Sequence, residues 1–239
     1  MKRPLIEVRD LRFRYDDGAA ALNGVSFRLE AGETVALLGP NGSGKTTFVL
    51  HLNGLLTGEG SIEVCGLPLD RRNVAAIRRK IGLVFQDSES QLFMPTVLED
   101  AAFAPLQRGL SRHDALDRAM AALKTVGMEA AAARAPYHLS AGEKKRVAIA
   151  GILASDPEIL ALDEPTTFLD PPGQRDLAEL LSALPQAKIV VTHNIPFAQA
   201  LCSRAVFFQS GVIAAEGAVD EIVSRFGWDF ALDRSRSRG

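Results

Sequence analysis

The stretch Gly39-Pro40-Asn41-Gly42-Ser43-Gly44-Lys45-Thr46-Thr47 follows the apolar run Thr34 to Leu38 and leads into Phe48-Val49-Leu50-His51-Leu52. A strand, a glycine turn and a helix in that order form a phosphate cradle. The glycines let the turn wrap tightly, so backbone N–H groups and a helix N-terminus converge on one anion. Asn41, Gly42, Ser43 and Gly44 make up the turn, Lys45 reaches the terminal phosphates, and Thr46, with Thr47 beside it, offers a hydroxyl to Mg2+. The stretch predicts binding of a nucleoside triphosphate.

Upstream, Leu5 to Tyr15 alternates apolar Ile6, Val8, Leu11 and Phe13 with charged Glu7, Arg9, Arg12 and Arg14, and Val25 to Leu29 repeats the pattern after the turn Asp16-Asp17-Gly18. That alternation predicts an antiparallel flap. Downstream, the pattern predicts a helix over Lys45 to Leu56, a strand over Ser61 to Val64, a helix over Arg71 to Lys80 and a buried strand over Ile81 to Phe85. Between Asp87 and Pro157 no strand pattern occurs. Helices are expected there at Thr96 to Ala104, at Ser111 to Val126 with Ser111 as N-cap, and at Ala141 to Ala154. Strands return at Ile159 to Leu162, Lys188 to Val191, Ala205 to Phe208 and Val212 to Ala215, with helices at Pro172 to Leu184 and Ile195 to Leu201 between them. Alternating strands and helices around a phosphate loop imply an α/β fold. The expected sheet is mostly parallel, with an antiparallel flap, an inserted helical lobe and the ligand at the carboxyl ends of the strands. The division follows as a core over 1–86 and 158–225, a lobe over about 87–157, and a tail over 226–239 whose Asp233 to Gly239 is too polar to pack.

A chain of 239 residues that is 47% hydrophobic can bury the core this plan needs. The formal net charge of -2 supplies no basic excess for gripping nucleic acid, and no nucleic-acid partner is expected. Cys65 and Cys202 lie far apart and outside any CxxC pair, which fits a reducing compartment and core positions. No apolar run approaches the roughly 20 residues that span a bilayer, and Met1-Lys2-Arg3-Pro4 leads straight into a strand pattern without a signal-peptide core. The expectation is a cytosolic protein, with docking on a membrane partner left open.

Polar residues then collect at predicted strand ends. Asp163 and Glu164 follow the strand Ile159 to Leu162, where a carboxylate can hold magnesium against β- and γ-phosphate oxygens. That role falls to Asp163, and Glu164, one residue on, is the expected base for the water that attacks the γ-phosphate. His193 ends the strand Lys188 to Thr192, where an imidazole can donate to a γ-phosphate oxygen, and Gln86 ends Ile81 to Phe85. His51, His113 and His138 share no metal-ligand spacing. Leu139-Ser140-Ala141-Gly142-Glu143 reads as a capping box opening a helix, and equally as a second anion site. Since the phosphate loop already serves one nucleotide, this turn must meet another, held by a second copy of the chain.

With these residues in place the sequence resembles the ATP-binding-cassette ATPases over almost its whole length. Gly39 to Thr47 is similar to the Walker A loop, Gln86 to the Q-loop glutamine, Leu139 to Glu143 to the signature motif, Ile159 to Glu164 to Walker B, Phe168-Leu169-Asp170 to the D-loop and His193 to the switch histidine. The signature carries Ala141 where the family usually has glycine. Tyr15 stands where the family places an aromatic ring against adenine. The resemblance implies a RecA-like P-loop core and ATP with Mg2+ as ligands. It implies Glu164, His193 and Gln86 as catalytic residues, with Gln86 joining Thr46 and Asp163 at the metal. It implies Ser140, Gly142 and Asp170 as nucleotide contacts across an ATP-sandwich homodimer. Val84-Phe85-Gln86, Gln91-Leu92-Phe93 and Thr96 to Phe103 further resemble the ATPases of energy-coupling-factor importers, nearest the cobalt and nickel uptake type, with a vitamin such as biotin as the alternative cargo. Such an ATPase works at the cytoplasmic face of the membrane, on an integral-membrane coupling protein and a small substrate-binding membrane protein.

Overall fold

The computed structural model describes residues 3–87 and 89–228. Strand β1 (Ile6–Arg14) turns through Gly18 into β2 (Ala20–Leu29), and the two pair antiparallel. Next come β3 (Thr34–Leu38) and helix α1 (Lys45–Leu52). The helix stops before the expected Leu56 because the chain turns back on itself, with Gly54 at φ +69 and the N–H groups of Leu55 and Leu56 both donating to the Leu50 carbonyl. A hairpin of β4 (Glu59–Val64) and β5 (Leu67–Pro68) follows, and a strand of two residues is too short to leave a sequence period. Helix α2 (Val74–Lys80) starts later than Arg71, since the Asp70 carboxylate takes the N–H groups of Arg72 and Asn73 at 2.8 Å and holds them in a turn. Strand β6 (Ile81–Val84) completes this half.

From 87 to 157 the described residues contain no strand. Helix α3 (Val97–Gln107) opens on a Thr96 cap, and it runs past the expected Ala104 with Pro105 in its last turn. Helix α4 (Arg112–Thr125) opens on Ser111, whose hydroxyl accepts from the Asp114 N–H at 3.1 Å. Helix α5 (Ala141–Leu153) opens on the Ser140–Glu143 capping box, present in both directions. The α/β pattern returns with β7 (Ile159–Asp163), α6 (Pro171–Ala183), β8 (Ala187–Val191), α7 (Ile195–Leu201), β9 (Arg204–Gln209) and β10 (Val212–Gly217).

A last helix, α8 (Val219–Phe226), was not expected from the sequence. Its Val219, Ile222 and Val223 are buried, Phe226 stacks on Phe207 with centroids 3.8 Å apart, and Trp228 meets Phe207 edge-on at 5.3 Å. Phe226 and Trp228, which the expected division assigns to the tail, are half-buried and pack against the core. Asp233 to Gly239 lies outside the described residues.

The strands form a four-stranded sheet ordered β2-β1-β4-β5 and a six-stranded sheet ordered β10-β9-β3-β8-β7-β6, parallel except for the β10 edge. This is the α/β phosphate-loop architecture with its antiparallel flap. Successive β3 residues face opposite sides: Val35 and Leu37 join Phe48, Phe27 and Phe208 in one core, while Ala36 and Leu38 join Leu162, Val190 and Val147 in the other. Register decides the function of the edge. Leu37 pairs with Val191, Val191 with Asp163 and Val84 with Leu162, so the residues following β3, β8, β7 and β6 emerge side by side. Among the described residues no helix is long and apolar enough to cross a membrane.

Candidate nucleotide site

At that edge the loop after β3 can only be built from glycine at two points. Gly39 has φ +132 and a Cβ there would stand 2.1 Å from the Phe208 carbonyl oxygen, while Gly44 has φ +105 and its Cβ would meet the Ala21 carbonyl oxygen at 2.5 Å. The turn delivers Lys45 to the start of α1, and its ammonium donates to the Gly39 and Pro40 carbonyls at 2.8 Å each. Burial lowers the Lys45 pKa, while Glu164 and Asp163 nearby act to raise it.

Asp163 ends β7 and is only 6% exposed. Burial raises its pKa, the Thr46 side chain opposes that rise, and its Oδ1 has no hydrogen-bond partner among the described residues. Glu164 follows in the left-handed region at φ +46, pinned by its N–H to the Val191 carbonyl at 2.9 Å. That turn sends its carboxylate towards the neighbouring strand end, where the His193 Nδ1 lies 2.9 Å from Glu164 Oε2. The His193 backbone N–H donates to the same oxygen at 3.4 Å. On the other flank the Tyr15 hydroxyl lies 2.9 Å from Thr47 Oγ1, and the Phe13 ring meets the Tyr15 ring edge-on at 5.0 Å.

One cleft of about 550 Å3 is bounded by Tyr15, Asn41, Gly42, Gly44, Lys45, Thr46, Thr47, Gln86, Asp163, Glu164 and His193. Ser43 sits in the same loop but is buried, its hydroxyl without a partner among the described residues. The donors, the ammonium and the carboxylates of this cleft suit a polyphosphate and a hard cation. Ser140, Gly142 and Asp170 are not among the residues bounding it. Ser140 caps α5, Asp170 caps α6 by accepting the Gly173 N–H at 2.9 Å, and a Cβ on Gly142 would make only an ordinary 3.6 Å contact with Leu169. Beside them lies a second cavity of about 530 Å3, bounded by Gln86, Asp87, Ala141, Lys144, Lys145, Thr167 and Phe168.

Two contributions are not evident from motifs. Ala19, Ala20 and Ala21 at the start of β2 line the cleft without any polar signature. Lys145 is 2% exposed and donates to the Gln86 carbonyl at 2.9 Å. The signal was present: Lys145 falls on the stripe of Ala141, Ala148 and Ile149, where a helical period asks for an apolar side chain.

The parallel sheet and the glycine loop at its carboxyl edge define a P-loop nucleoside triphosphatase. Residues 22–167 match the family described as ABC transporter. An ABC transporter ATP-binding protein of Streptomyces avermitilis is 52% identical over 222 residues, covering 92% of this chain and 85% of that protein. The energy-coupling factor transporter ATP-binding protein EcfA of Methanocaldococcus jannaschii is 44% identical over 226 residues, covering 92% and 81%. Among solved structures, cbiO1 of Clostridium perfringens, described as part of the ABC transporter complex cbiONQ, superposes with a TM-score of 0.86 at 34% identity, covering 94% of this chain and 92% of that one. A bacterial ABC transporter cassette solved as a dimer gives 0.80 at 31% identity, covering 90% and 98%. The chain belongs to the ABC transporter family as one of its ATP-binding, ATP-hydrolysing cassettes, and it resembles the energy-coupling-factor ATPases within that family.

Proposed function

We propose that the chain is the ATPase subunit of an energy-coupling-factor importer and drives uptake of a transition-metal ion, cobalt or nickel, with a vitamin such as biotin as the alternative cargo. The observation that carries the ATPase reading is the alignment of four strand ends, which sets Lys45, Gln86, Asp163, Glu164 and His193 around one cleft. Tyr15 stacks on adenine, residues 41–47 wrap the phosphates, and the Lys45 ammonium moves from the Gly39 and Pro40 carbonyls onto the β- and γ-phosphates. The donor set fits Mg2+: the buried Asp163 Oδ1 has no partner among the described residues, and the Thr46 side chain acts on the same carboxylate. Thr46 and Asp163, with Gln86 beside them, would hold that ion, which when bound neutralises charge on the phosphate oxygens. Glu164 accepts the proton of the attacking water, and His193, its backbone N–H on Glu164, turns a ring N–H to the γ-phosphate.

The position of Ser140, Gly142 and Asp170 outside the chain's own cleft supports a second role for them, against a nucleotide bound by another copy. The likeness to a cassette solved as a dimer supports the same homodimeric sandwich. Coupling to membrane proteins would use the groove beside Gln91, Leu92 and Phe93. There Gln91 ties the backbone of Phe85 and Leu83, and Phe93 is 62% exposed against Phe103. Nucleotide closure and a gripping groove on one chain support a cassette that works at the cytoplasmic face of the membrane, on a coupling protein and through it on a substrate-binding protein. The energy-coupling-factor reading is supported by the likeness to EcfA, and the metal cargo by the likeness to cbiO1.

The test is ATP-dependent uptake of labelled Co2+, Ni2+ and biotin by vesicles holding this chain with its membrane partners. Metal uptake that stops when ATP is omitted supports the reading, and biotin uptake alone selects the alternative cargo. Binding to ribosomes or DNA that salt abolishes, with no transport, would overturn it.

A further inference from the structure

Buried ammonium groups are costly unless something in the fold needs them, and Lys145 is the buried lysine on α5. It lies one helical turn beyond Ala141, on the helix that opens with the Ser140–Glu143 box. Its ammonium reaches out of the lobe to the Gln86 carbonyl at 2.9 Å. Gln86 stands two residues past the end of β6, where the chain leaves the sheet for the lobe, and it borders both the nucleotide cleft and the cavity next to α5. The ammonium also feels the negative charge of Asp87 and Asp163. For a residue whose only task was to fill space, a methionine of the same length would serve without desolvating a charge.

We propose that Lys145 is a positioning residue: anchored on α5, it holds the Gln86 backbone and so ties the helix that carries Ser140 and Gly142 to the side chain that reaches the nucleotide cleft. This inference rests on the reading of the cleft as an ATPase site. A rotation of the lobe that moves α5 moves Gln86 with it, because the bond joins the two elements directly. Closing the Ser140–Gly142 turn on one nucleotide is thereby linked to the placement of Gln86 at another, within a single chain.

The experiment is a double-mutant cycle on the full chain, with steady-state ATP hydrolysis as the readout. Lys145→Met should lower kcat about tenfold, the order of one hydrogen bond from a charged donor, and leave KM for ATP within about twofold. In a Gln86→Ala background the same substitution should change kcat by less than about twofold, because the group it positions is gone. Lys145→Arg keeps the donors, has the adjoining cavity of about 530 Å3 for its larger head, and should recover most of the rate. Should Lys145→Met lower Tm by more than about 5 °C, Lys145→Gln takes its place in the cycle. An unchanged kcat in folded Lys145→Met, or in the Lys145→Gln that stands in for it, overturns the proposal, as does an equal loss in the two backgrounds. Glu164→Gln is run alongside: if it too leaves hydrolysis intact, the reading of the cleft has failed, whereas if it abolishes hydrolysis, the Lys145 inference stands or falls alone.

Discussion

Replacing Glu164 by glutamine changes the basicity of one group while leaving its shape. The side chain sits at a left-handed turn with φ +46, its oxygen 2.9 Å from the His193 Nδ1. A glutamine carbonyl can accept that same hydrogen bond, and the backbone bond from the Glu164 N–H to Val191 is untouched. Fold and ATP affinity should therefore survive, with Tm shifted by less than about 2 °C and Kd by less than about threefold. What is lost, on the proposed function, is the proton acceptor for the attacking water. General-base catalysis is worth about 10²- to 10⁴-fold, equivalent to about 2.7–5.5 kcal/mol of barrier. Phosphate release by the purified chain, measured at saturating ATP, should fall within that range. The ATP-bound dimer should outlive that of the parent chain in size-exclusion chromatography. Turnover reduced less than about tenfold, with ATP still bound, would refute the assignment of Glu164 as base.

Two further outcomes follow from the same geometry. Lys45→Met removes the ammonium that bridges Gly39 and Pro40, and ATP binding followed by calorimetry should weaken about a hundredfold, near 2.7 kcal/mol. Burial pushes the Cys202 thiol up to about 12 from its ordinary 9.0, so as pH rises the unfolded chain gives up this proton before the folded one does. Stability contributed by the protonated thiol is complete below that ordinary value and falls by about 1.4 kcal/mol per pH unit above it. Urea unfolding of the parent chain and of Cys202→Ser at about pH 8 and about pH 10 should show the steeper loss in the parent, and equal losses would refute it.

Much of this molecule was legible before any coordinates, because its determinants are local. The glycine loop, the Ser111 and Ser140 caps and the apolar runs of β3, β7 and β8 each announce themselves within a few residues. Strand ends carrying Asp163, Glu164, His193 and Gln86 could be named because a parallel sheet forces its ligand to one edge. What escaped was set by distant partners. Helix α8 depends on Phe207 for its meaning, and Lys145 looks like a misplaced surface residue until the Gln86 carbonyl is seen across from it. The left-handed turn at Glu164, which aims its carboxylate at His193, has no glycine to betray it.

The order of strands has a consequence for synthesis. The phosphate-loop strand β3 lies between β8 and β9, so Thr34 waits for Lys188 and Val35 for Arg204. A ribosome finishes the loop early but must continue through Gln209 before the strand beneath it has both neighbours. Closing contacts so distant in sequence makes folding slow and leaves apolar edges exposed meanwhile. A nascent chain therefore bears the phosphate motif long before it has the sheet that supports it. ATP can act as a folding ligand only once the chain through Gln209 has emerged.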